Sequence, residues 1–280
     1  MIALIVDETQ DSLLRTFLSS VGVSHSPSKL SELFVPPHNQ DPGSKVSDRH
    51  GFVLYEKALQ PPFIHIDGLT NFRDIGGWPI SFPSSNPSSA PTRVRTGILY
   101  RSPDLATLTP IGTADLKSLH ITTIFDLRSI PQISRAGGIK EIEGIRRIWC
   151  PVFGEEEYTP EKSGMRYMQY CSPGTKGIVT AFLEILSRGA IPAFRPILLH
   201  LASPSPEPCT IHCTTGNNRS GVFTGILLSL LGVSPAVVAQ EYALSELGLR
   251  GSRDAVVERL LGNARFREVV GSRERARRMV

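Results

Sequence analysis

The sequence contains no apolar run of the roughly 20 residues that a membrane-spanning helix requires. Residues 1–6 are apolar, but they are too few for a signal peptide, no basic region precedes them, and Asp7 follows directly. We therefore expect a protein that makes no stable membrane insertion and is located in the cytoplasm.

Cysteine is scarce, and the chain has only Cys150, Cys171, Cys209 and Cys213. No two of them have the C-x-x-C spacing and the histidines are scattered, which argues against a structural zinc site. In a chain of this size without an export signal, cysteines stay reduced rather than form disulfides. The sequence thus predicts no metal, no cofactor and thiols that are free to react.

The sequence lacks a large excess of positive or negative charge, since its formal net charge is only +4. A surplus this small predicts no nucleic-acid partner. The basic residues concentrate near the end of the sequence, where the cluster consists of Arg265, Arg267, Arg273, Arg275, Arg277 and Arg278. We interpret this cluster as the solvated face of a terminal helix, and the alternative is a weak contact with anionic lipid or acidic protein.

The hydrophobic share of 40% and the charged share of 20% are typical of a globular protein. Residues 1–60 combine one predicted helix, at 12–21, with a stretch rich in Ser, Pro and His, and we expect a partly irregular N-terminal arm. Residues 61–280 are predicted to form one catalytic domain. The Pro/Ser segments 81–91 and 203–208 are predicted to be surface loops within it.

Short β-type runs recur along the domain, at 63–66, 98–100, 122–127, 146–149 and 209–212. Helical patterns lie between several of these runs. This alternation predicts the α/β class, with a mainly parallel central sheet and helices on both faces.

Helix signals are clearest where Thr109 and Ser234 are each followed by proline, a combination typical of a helix start. We predict helices over 110–120 and 235–248. Apolar residues also recur at helical spacing between 222 and 231, which predicts a buried helix there.

The segment HCTTGNNRSG, residues 212–221, lies between the last predicted strand and that buried helix. Such a junction gathers backbone N–H groups, and the helix dipole favours an anion. The C-x5-R spacing allows a loop around a phosphate, in which Gly216 avoids a side-chain clash and Arg219 binds two oxygens. The predicted phosphate-binding residues are Thr214, Thr215, Gly216, Asn217 and Asn218.

Cys213 is the predicted nucleophile of this loop. A helix N-terminus and an adjacent cation lower the pKa of a thiol from about 8.5 into the range of about 3.5–7.5. The thiolate can then attack phosphorus and form a phosphocysteine intermediate, which divides one difficult reaction into two steps. The hydroxyl of Ser220 is predicted to bind the sulfur and to ease its departure.

Motifs outside the loop carry a family resemblance: NFRDIGG at 71–77, YRS at 100–102, DLRS at 126–129 and EYAL at 241–244. Together with the loop, they resemble the atypical bacterial and fungal tyrosine phosphatases of tyrosine phosphatase family 3, which are related to the mycobacterial tyrosine phosphatase B. The resemblance covers most of residues 60–261. It implies a cysteine-phosphatase fold, no metal, and activity on phosphotyrosine, with phosphoserine, phosphothreonine or phosphoinositides as further substrates.

The loop departs from the pattern HCxxGKDRTG of that family. Asn217 replaces Lys, Asn218 replaces Asp, and Ser220 replaces Thr while it keeps the hydroxyl. The resemblance implies that the replaced Asp is the general acid, and an amide cannot supply a proton in its place. Positioned acid catalysis contributes typically about 10²–10⁴-fold, so another donor is expected.

Asp74 is the first candidate for that donor. The alternative for Asp74 is that it caps the backbone near Gly76 or pairs with Arg73 or Arg101. The glutamates at 155–157 follow a strand, as the acid loops of other cysteine phosphatases do, and their alternative is a solvated turn.

Four further residues are expected to support the site. His212 is predicted to shape the loop through hydrogen bonds, and Asp126 to position an arginine. Arg101 and Arg128 are either part of the site or members of structural ion pairs.

The sequence therefore predicts a cysteine-dependent phosphatase, of the tyrosine or dual-specificity type, that acts on a phosphorylated or anionic substrate. Two alternatives stay open. Because Asn217 and Asn218 replace the usual Lys and Asp, the first alternative is an enzyme that uses the same pocket for elimination, isomerisation or cyclisation of an anionic small molecule. A non-catalytic phosphate-binding protein is the other, against which the intact Cys213 and Arg219 argue.

Overall fold

The computed structural model describes residues 34–35, 62–80, 93–262 and 264–279. The helix predicted at 12–21, the loop predicted at 81–91 and most of the predicted N-terminal arm lie outside the described residues. The loop predicted at 203–208 contains neither helix nor strand, and it ends where the next strand begins at Cys209.

Strands alternate with helices along the domain. The described strands are β1 (Phe34–Val35), β2 (Arg73–Asp74), β3 (Arg93–Val94), β4 (Leu99–Ser102), β5 (Thr123–Asp126), β6 (Arg146–Trp149) and β7 (Cys209–His212). One sheet has the order β2-β4-β7-β5-β6, and β1 pairs with β3 separately. Strands β4, β7, β5 and β6 are parallel, and β2 joins β4 in the antiparallel direction. The predicted mainly parallel sheet is therefore confirmed.

The predicted strand at 63–66 is wrong in extent. Phe63 and Ile66 form only isolated bridges, and Ile66 pairs with Leu69 across a tight turn. Gly68 in this turn has a φ of 84°, so the chain reverses before a strand can continue.

The described α-helices are α1 (Pro110–Ser118), α2 (Ile130–Arg135), α3 (Pro160–Cys171), α4 (Lys176–Gly189), α5 (Arg195–Leu201), α6 (Asn218–Leu230), α7 (Pro235–Gly248), α8 (Arg253–Leu261), α9 (Ala264–Val270) and α10 (Arg273–Met279). The predicted helices at 110–120 and 235–248 are confirmed within two residues. The Thr109 side chain accepts a hydrogen bond from the Gly112 amide, which caps α1. Helix α6 is buried along most of its length, as its apolar pattern predicted.

The sheet has apolar residues on both faces because side chains alternate along each strand. Phe125 and Ile211 belong to a core cluster with residues of α4, α5 and α6. Tyr100 and Ile124 belong to a second cluster with Leu116 of α1. Helices therefore cover both faces of the sheet.

A continuous helix from Lys176 to Leu201 combines α4, a π-helical turn (Ala190–Phe194) and α5. By length and composition alone it could cross a membrane. However, Phe182, Ile185 and Ile197 on this helix are buried in the protein core. Core helices of soluble proteins have the same length and composition, so this helix is weak support for a membrane span.

Three arginines of the C-terminal cluster, Arg273, Arg277 and Arg278, make ion pairs through largely exposed side chains. Arg273 pairs with Asp254 and Glu258, and Arg277 pairs with Asp254 at 2.9 Å. These pairs fit the solvated helical face, and the contact with lipid or acidic protein stays a prediction.

Three parallel strands end together next to the loop of interest. Ser102, His212 and Asp126 occupy one row of the register between β4, β7 and β5. Cys213 follows directly, and α6 begins at Asn218. The loop thus lies at the carboxyl edge of the sheet, which is where open α/β sheets bind ligands.

Candidate active site

The segment between β7 and α6 makes a close contact with the end of β4. Gly216 has a φ of 67°, and a Cβ atom there would lie 2.5 Å from the carbonyl oxygen of Ser102. The contact therefore requires glycine at this position.

The carbonyl groups of residues 214–217 point away from the interior of the loop, because each accepts a hydrogen bond from outside it. The donors are the Asp104 amide for Thr214, the Asn71 side chain for Thr215, and the Arg101 guanidinium for Gly216 and Asn217. In a trans peptide unit the N–H is antiparallel to the C=O. The amides of residues 215–218 consequently face the interior, where they can bind an anion.

A buried ion-pair network supports the loop from below. Arg101 donates to the carbonyl oxygen of Gly216 at 2.7 Å and to the carboxylate of Glu241 at 2.7 Å. Glu241 also binds Arg73 at 2.8 Å, and both guanidinium groups are fully buried. Burial alone would raise the pKa of Glu241, but the two arginines hold it below its ordinary value. Arg101 is thus both an ion-pair member and a loop support.

The Cys213 side chain lies at the base of the loop and is 4% exposed. Burial disfavours its thiolate, yet the pKa of the thiol is lowered because the charge of Arg219 and the amide and hydroxyl of Ser220 favour the anion. The Sγ atom is 3.7 Å from Oγ of Ser220. The surroundings of Cys213 therefore favour the thiolate form of its side chain.

The other cysteines have the opposite behaviour. Burial raises the pKa of the Cys150 and Cys209 thiols to about 12 each, and it also raises the pKa of Cys171. All four cysteines are free of disulfides. Their environments therefore single out Cys213 as the reactive thiol.

Arg219 is held by two uncharged acceptors. Its guanidinium donates to Oε1 of Gln132 at 2.5 Å and to the Tyr158 hydroxyl at 2.9 Å. Gln132 is itself placed by a capping box with Ser129 at the start of α2. No carboxylate pairs with Arg219 within the described residues, so its charge is available to a bound anion.

A pocket of about 280 Å³ opens above the loop. Cys213, Asn218 and Arg219 are among the residues that line it. Aromatic side chains form much of its wall: Phe153, Tyr158, Tyr167, Tyr170 and Phe266. Further arginines lie around it, namely Arg135, Arg166 and Arg259. An anionic group and an attached ring fit this combination.

The Cys213 thiol, the inward amides of residues 215–218 and the Arg219 guanidinium form a site that suits a phosphate group, and a comparison with known protein families points to the same kind of chemistry. The model of the tyrosine phosphatase family matches residues 64–279. The chain belongs to the tyrosine phosphatase family. No curated protein matches the chain significantly. Membership of this family supports a cysteine-type phosphatase in general.

The two loop asparagines have different surroundings. Asn218 lines the pocket, and its Oδ1 accepts a hydrogen bond from the Tyr242 hydroxyl at 2.9 Å. Asn217 is 9% exposed, and its Oδ1 has no hydrogen-bond partner within the described residues. Of the two, only Asn218 is among the residues that line this pocket, whereas Asn217 faces the loop interior through its backbone amide.

The structure does not bring Asp74 to the loop. Its carboxylate accepts hydrogen bonds from the backbone amides of Gly76 and Gly97, each at 2.7 Å. Gly97 precedes β4, so this carboxylate lies toward the amino ends of the parallel strands, whereas Cys213 follows their carboxyl ends. Burial raises the pKa of Asp74, but its position contradicts the predicted role as the acid. Its bonds match the alternative, an Asp that caps the backbone.

The glutamates at 155–157 do not line the pocket either. Glu155 and Glu156 are exposed, and Glu157 is buried and pairs with Lys162 at 3.1 Å. Tyr158, at the end of the same short 3-10 helix, reaches Arg219 instead.

His212, Asp126 and Arg128 form a buried cluster behind the loop. Asp126 binds Arg128 at 2.8 Å and Arg147 at 2.7 Å. A ring nitrogen of His212 lies 3.3 Å from the carbonyl oxygen of Cys213. None of these side chains lines the described pocket, so their contacts are those of supporting residues.

Sequence reasoning missed Asp104, Gln132 and Tyr158, which all line the pocket. The signal for Asp104 is weak, because a polar residue just after a strand is common. Gln132 could have been noticed through the Ser129-x-x-Gln132 capping pattern. Tyr158 has no signal beyond its place after the acidic run.

Proposed function

We propose that the protein hydrolyses phosphomonoesters, with a preference for aryl phosphates such as phosphotyrosine, through a phosphocysteine intermediate. The observation that carries the proposal is the Cys213 thiol with a lowered pKa, below inward-facing amides and beside Arg219, which pairs with no carboxylate in the described part of the chain. A pure binding protein needs the amides and the guanidinium but gains nothing from an activated thiol.

The proposed reaction begins when the phosphoryl oxygens bind the loop amides and Arg219. The Cys213 thiolate then attacks phosphorus, an S–P bond forms, and the P–O ester bond breaks with its electron pair on the leaving oxygen. Water attacks the phosphocysteine in a second step, and the sulfur leaves as a thiolate. The hydroxyl of Ser220 stabilises that thiolate.

The aromatic wall supports the preference for aryl esters. The rings of Phe153, Tyr158 and Tyr170 lie beside the loop, where a phenyl group attached to the phosphate would contact them. We also propose a cytoplasmic location, since four free thiols suit a reducing compartment.

The proposal is tested by phosphate release from 4-nitrophenyl phosphate with wild type and Cys213→Ser. Cys150→Ser is a matched control, because its Sγ already donates to the Ile148 carbonyl and a hydroxyl keeps that bond. We expect turnover by wild type and the control, none by Cys213→Ser, and acid-stable phosphate on Cys213 in quenched wild type.

Phosphate binding without turnover of any phosphomonoester by wild type would contradict the proposal. That outcome would favour the binding protein or the enzyme for elimination, isomerisation or cyclisation. The two would then be separated by whether a bound anionic ligand changes chemically.

A further inference from the structure

We propose that Asp104 is the general acid of this site and supplies the proton that Asn218 cannot. This inference rests on the proposed phosphatase function. It assigns a catalytic role to a residue outside the phosphate loop.

The pairing of β4 with β7 brings Asp104 beside the loop. Ser102 and His212 are partners in the parallel register, and Asp104 and Thr214 each follow two residues later. The Asp104 amide donates to the carbonyl oxygen of Thr214 at 3.2 Å. Asp104 therefore lies at the same edge of the sheet as Cys213.

One oxygen of this carboxyl group is available for proton transfer. Oδ1 accepts a hydrogen bond from the Ala106 amide at 3.2 Å. Oδ2 has no hydrogen bond or ion pair within the described residues, and Asp104 lines the pocket together with Cys213 and Asn218. An oriented carboxyl group with one free oxygen meets the geometric need of a general acid.

Asp104 is the one carboxylate among the described residues that line this pocket. The other candidates are engaged elsewhere: Asp74 with two backbone amides, Asp126 with two arginines, and Glu157 with Lys162. Tyr158 lines the pocket, but a phenol is a much weaker acid than a carboxylic acid. Once the other acidic residues are ruled out, Asp104 remains, and it is also the residue that the strand register places beside the loop.

The proposed proton transfers balance over the two steps. As the P–O bond breaks, the leaving oxygen takes the proton of the Asp104 carboxyl group and departs as a neutral alcohol. The carboxylate then accepts a proton from the water that attacks phosphorus. Phosphate leaves, the Cys213 thiolate is restored, and Asp104 is protonated again.

The test compares substrates whose leaving groups differ in acidity: 4-nitrophenyl, phenyl and alkyl phosphate. Asp104→Asn keeps the Oδ1 acceptor for Ala106 and has the same shape, so it removes the proton and little else. A poor leaving group needs the proton most. For Asp104→Asn we expect kcat/KM to fall by about 10²–10⁴-fold on phenyl phosphate and by less than about 10-fold on 4-nitrophenyl phosphate.

Two variants serve as controls for the leaving-group dependence. Asp74→Asn makes the same chemical change at a carboxylate outside the pocket. Tyr158→Phe removes a hydroxyl that holds Arg219. Both are expected to keep the wild-type dependence on the leaving group, even where Tyr158→Phe lowers the rate on every substrate alike.

An equal loss on all three substrates, or no loss at all, would overturn the role of Asp104 while wild-type turnover still upholds the phosphatase. Absence of turnover by wild type on every ester would instead refute the proposed function. The two failures are thus distinguishable in one experiment.

Discussion

The Sγ atom of Cys213 lies 3.7 Å from the hydroxyl oxygen of Ser220, and both residues are buried. Ser220 is in the first turn of α6, so its position is fixed by the helix that closes the phosphate loop. A hydrogen bond to a charged group is worth about 1.5–3 kcal/mol. In the proposed mechanism the contact therefore matters most when the sulfur carries its full negative charge, which is in the free enzyme and when the phosphocysteine intermediate breaks down.

Ser220→Ala is expected to slow that breakdown by about 10- to 100-fold, which corresponds to the loss of such a hydrogen bond. Rapid mixing with 4-nitrophenyl phosphate should then show a burst of nitrophenol followed by slow turnover. Ser220→Thr keeps the hydroxyl and should show no enlarged burst. Unchanged turnover by Ser220→Ala would show that the hydroxyl does not assist the sulfur.

Cys213 is expected to be the thiol that iodoacetamide alkylates at neutral pH. The pKa of its thiol is lowered, whereas burial raises the pKa of Cys150 and Cys209 to about 12. Peptide mapping by mass spectrometry should find the label on Cys213, and inorganic phosphate should slow it.

The same reaction measures the direction of the pKa shift. The thiolate fraction rises with pH through the pKa, so the labelling rate should reach half its plateau at a pH below the ordinary pKa of a free thiol. In Arg219→Met the midpoint should move upward because the favourable charge is gone, and in Arg219→Lys it should move less. A wild-type midpoint at or above the ordinary pKa of a free thiol would contradict the lowered pKa.

The place of the Cys213 loop between a strand and a buried helix could be predicted because its signals are contiguous. Strand β7, the C-x5-R spacing and the apolar pattern of α6 follow one another along the chain, and each is a local property. The mainly parallel sheet followed in the same way from alternating strands and helices. These features need no knowledge of distant contacts.

The contacts that position the loop are long-range and could not be predicted. Glu241 binds Arg101 across 140 residues of sequence, and no local pattern specifies that pair. Asp104 reaches Thr214 only because β4 pairs with β7. The prediction for Asp74 was wrong because β2 runs antiparallel, which turns a residue of the NFRD motif away from the carboxyl edge.

Glu241→Gln is expected to destabilise the protein by about 3–5 kcal/mol. The change leaves the buried guanidinium groups of Arg73 and Arg101 without their shared carboxylate, and an uncompensated buried charge carries a cost of this size. Urea unfolding of wild type and Glu241→Gln measures this difference in the free energy of unfolding. Glu246→Gln, in the same helix but 69% exposed at its side chain, should change stability by about 1 kcal/mol or less. Equal effects of the two variants would contradict the buried network.

Stability is expected to fall as the pH drops below about 6.5. Burial lowers the pKa of His212, so the unfolded chain takes up a proton at pH values where the folded protein does not. Its contribution is present above the ordinary value of 6.5 and is lost as the pH falls toward the lowered folded value. For one proton the slope reaches at most about 1.4 kcal/mol per pH unit.

His212→Asn should remove this slope between pH 6.5 and 5. The further decline below the ordinary pKa of 4.5 should persist in that variant, because the arginines lower the pKa of Glu241 in the folded protein. Urea unfolding at a series of pH values measures both parts. A wild-type stability that stays constant from pH 7 to 5 would contradict the first part.

Asn218→Asp is expected to rescue the Asp104→Asn variant. Asn218 lines the pocket, and its side-chain Oδ1 accepts a hydrogen bond from the Tyr242 hydroxyl. A carboxyl group there keeps that bond and gains a second oxygen that can carry a proton. The double variant should therefore hydrolyse phenyl phosphate about 10- to 100-fold faster than Asp104→Asn, within the range of general acid catalysis.

In the wild-type background the same Asn218→Asp change should have little effect, because a donor is already present. Asn217→Asp is the matched control, since its side chain does not line this pocket. It should give no rescue. Rescue by Asn218→Asp but not by Asn217→Asp would mean that the site needs one correctly placed proton donor. That donor could then lie either at residue 104 or at residue 218. If the double variant is as slow as Asp104→Asn alone, a carboxyl group at position 218 cannot supply the missing proton, and the predicted rescue is wrong.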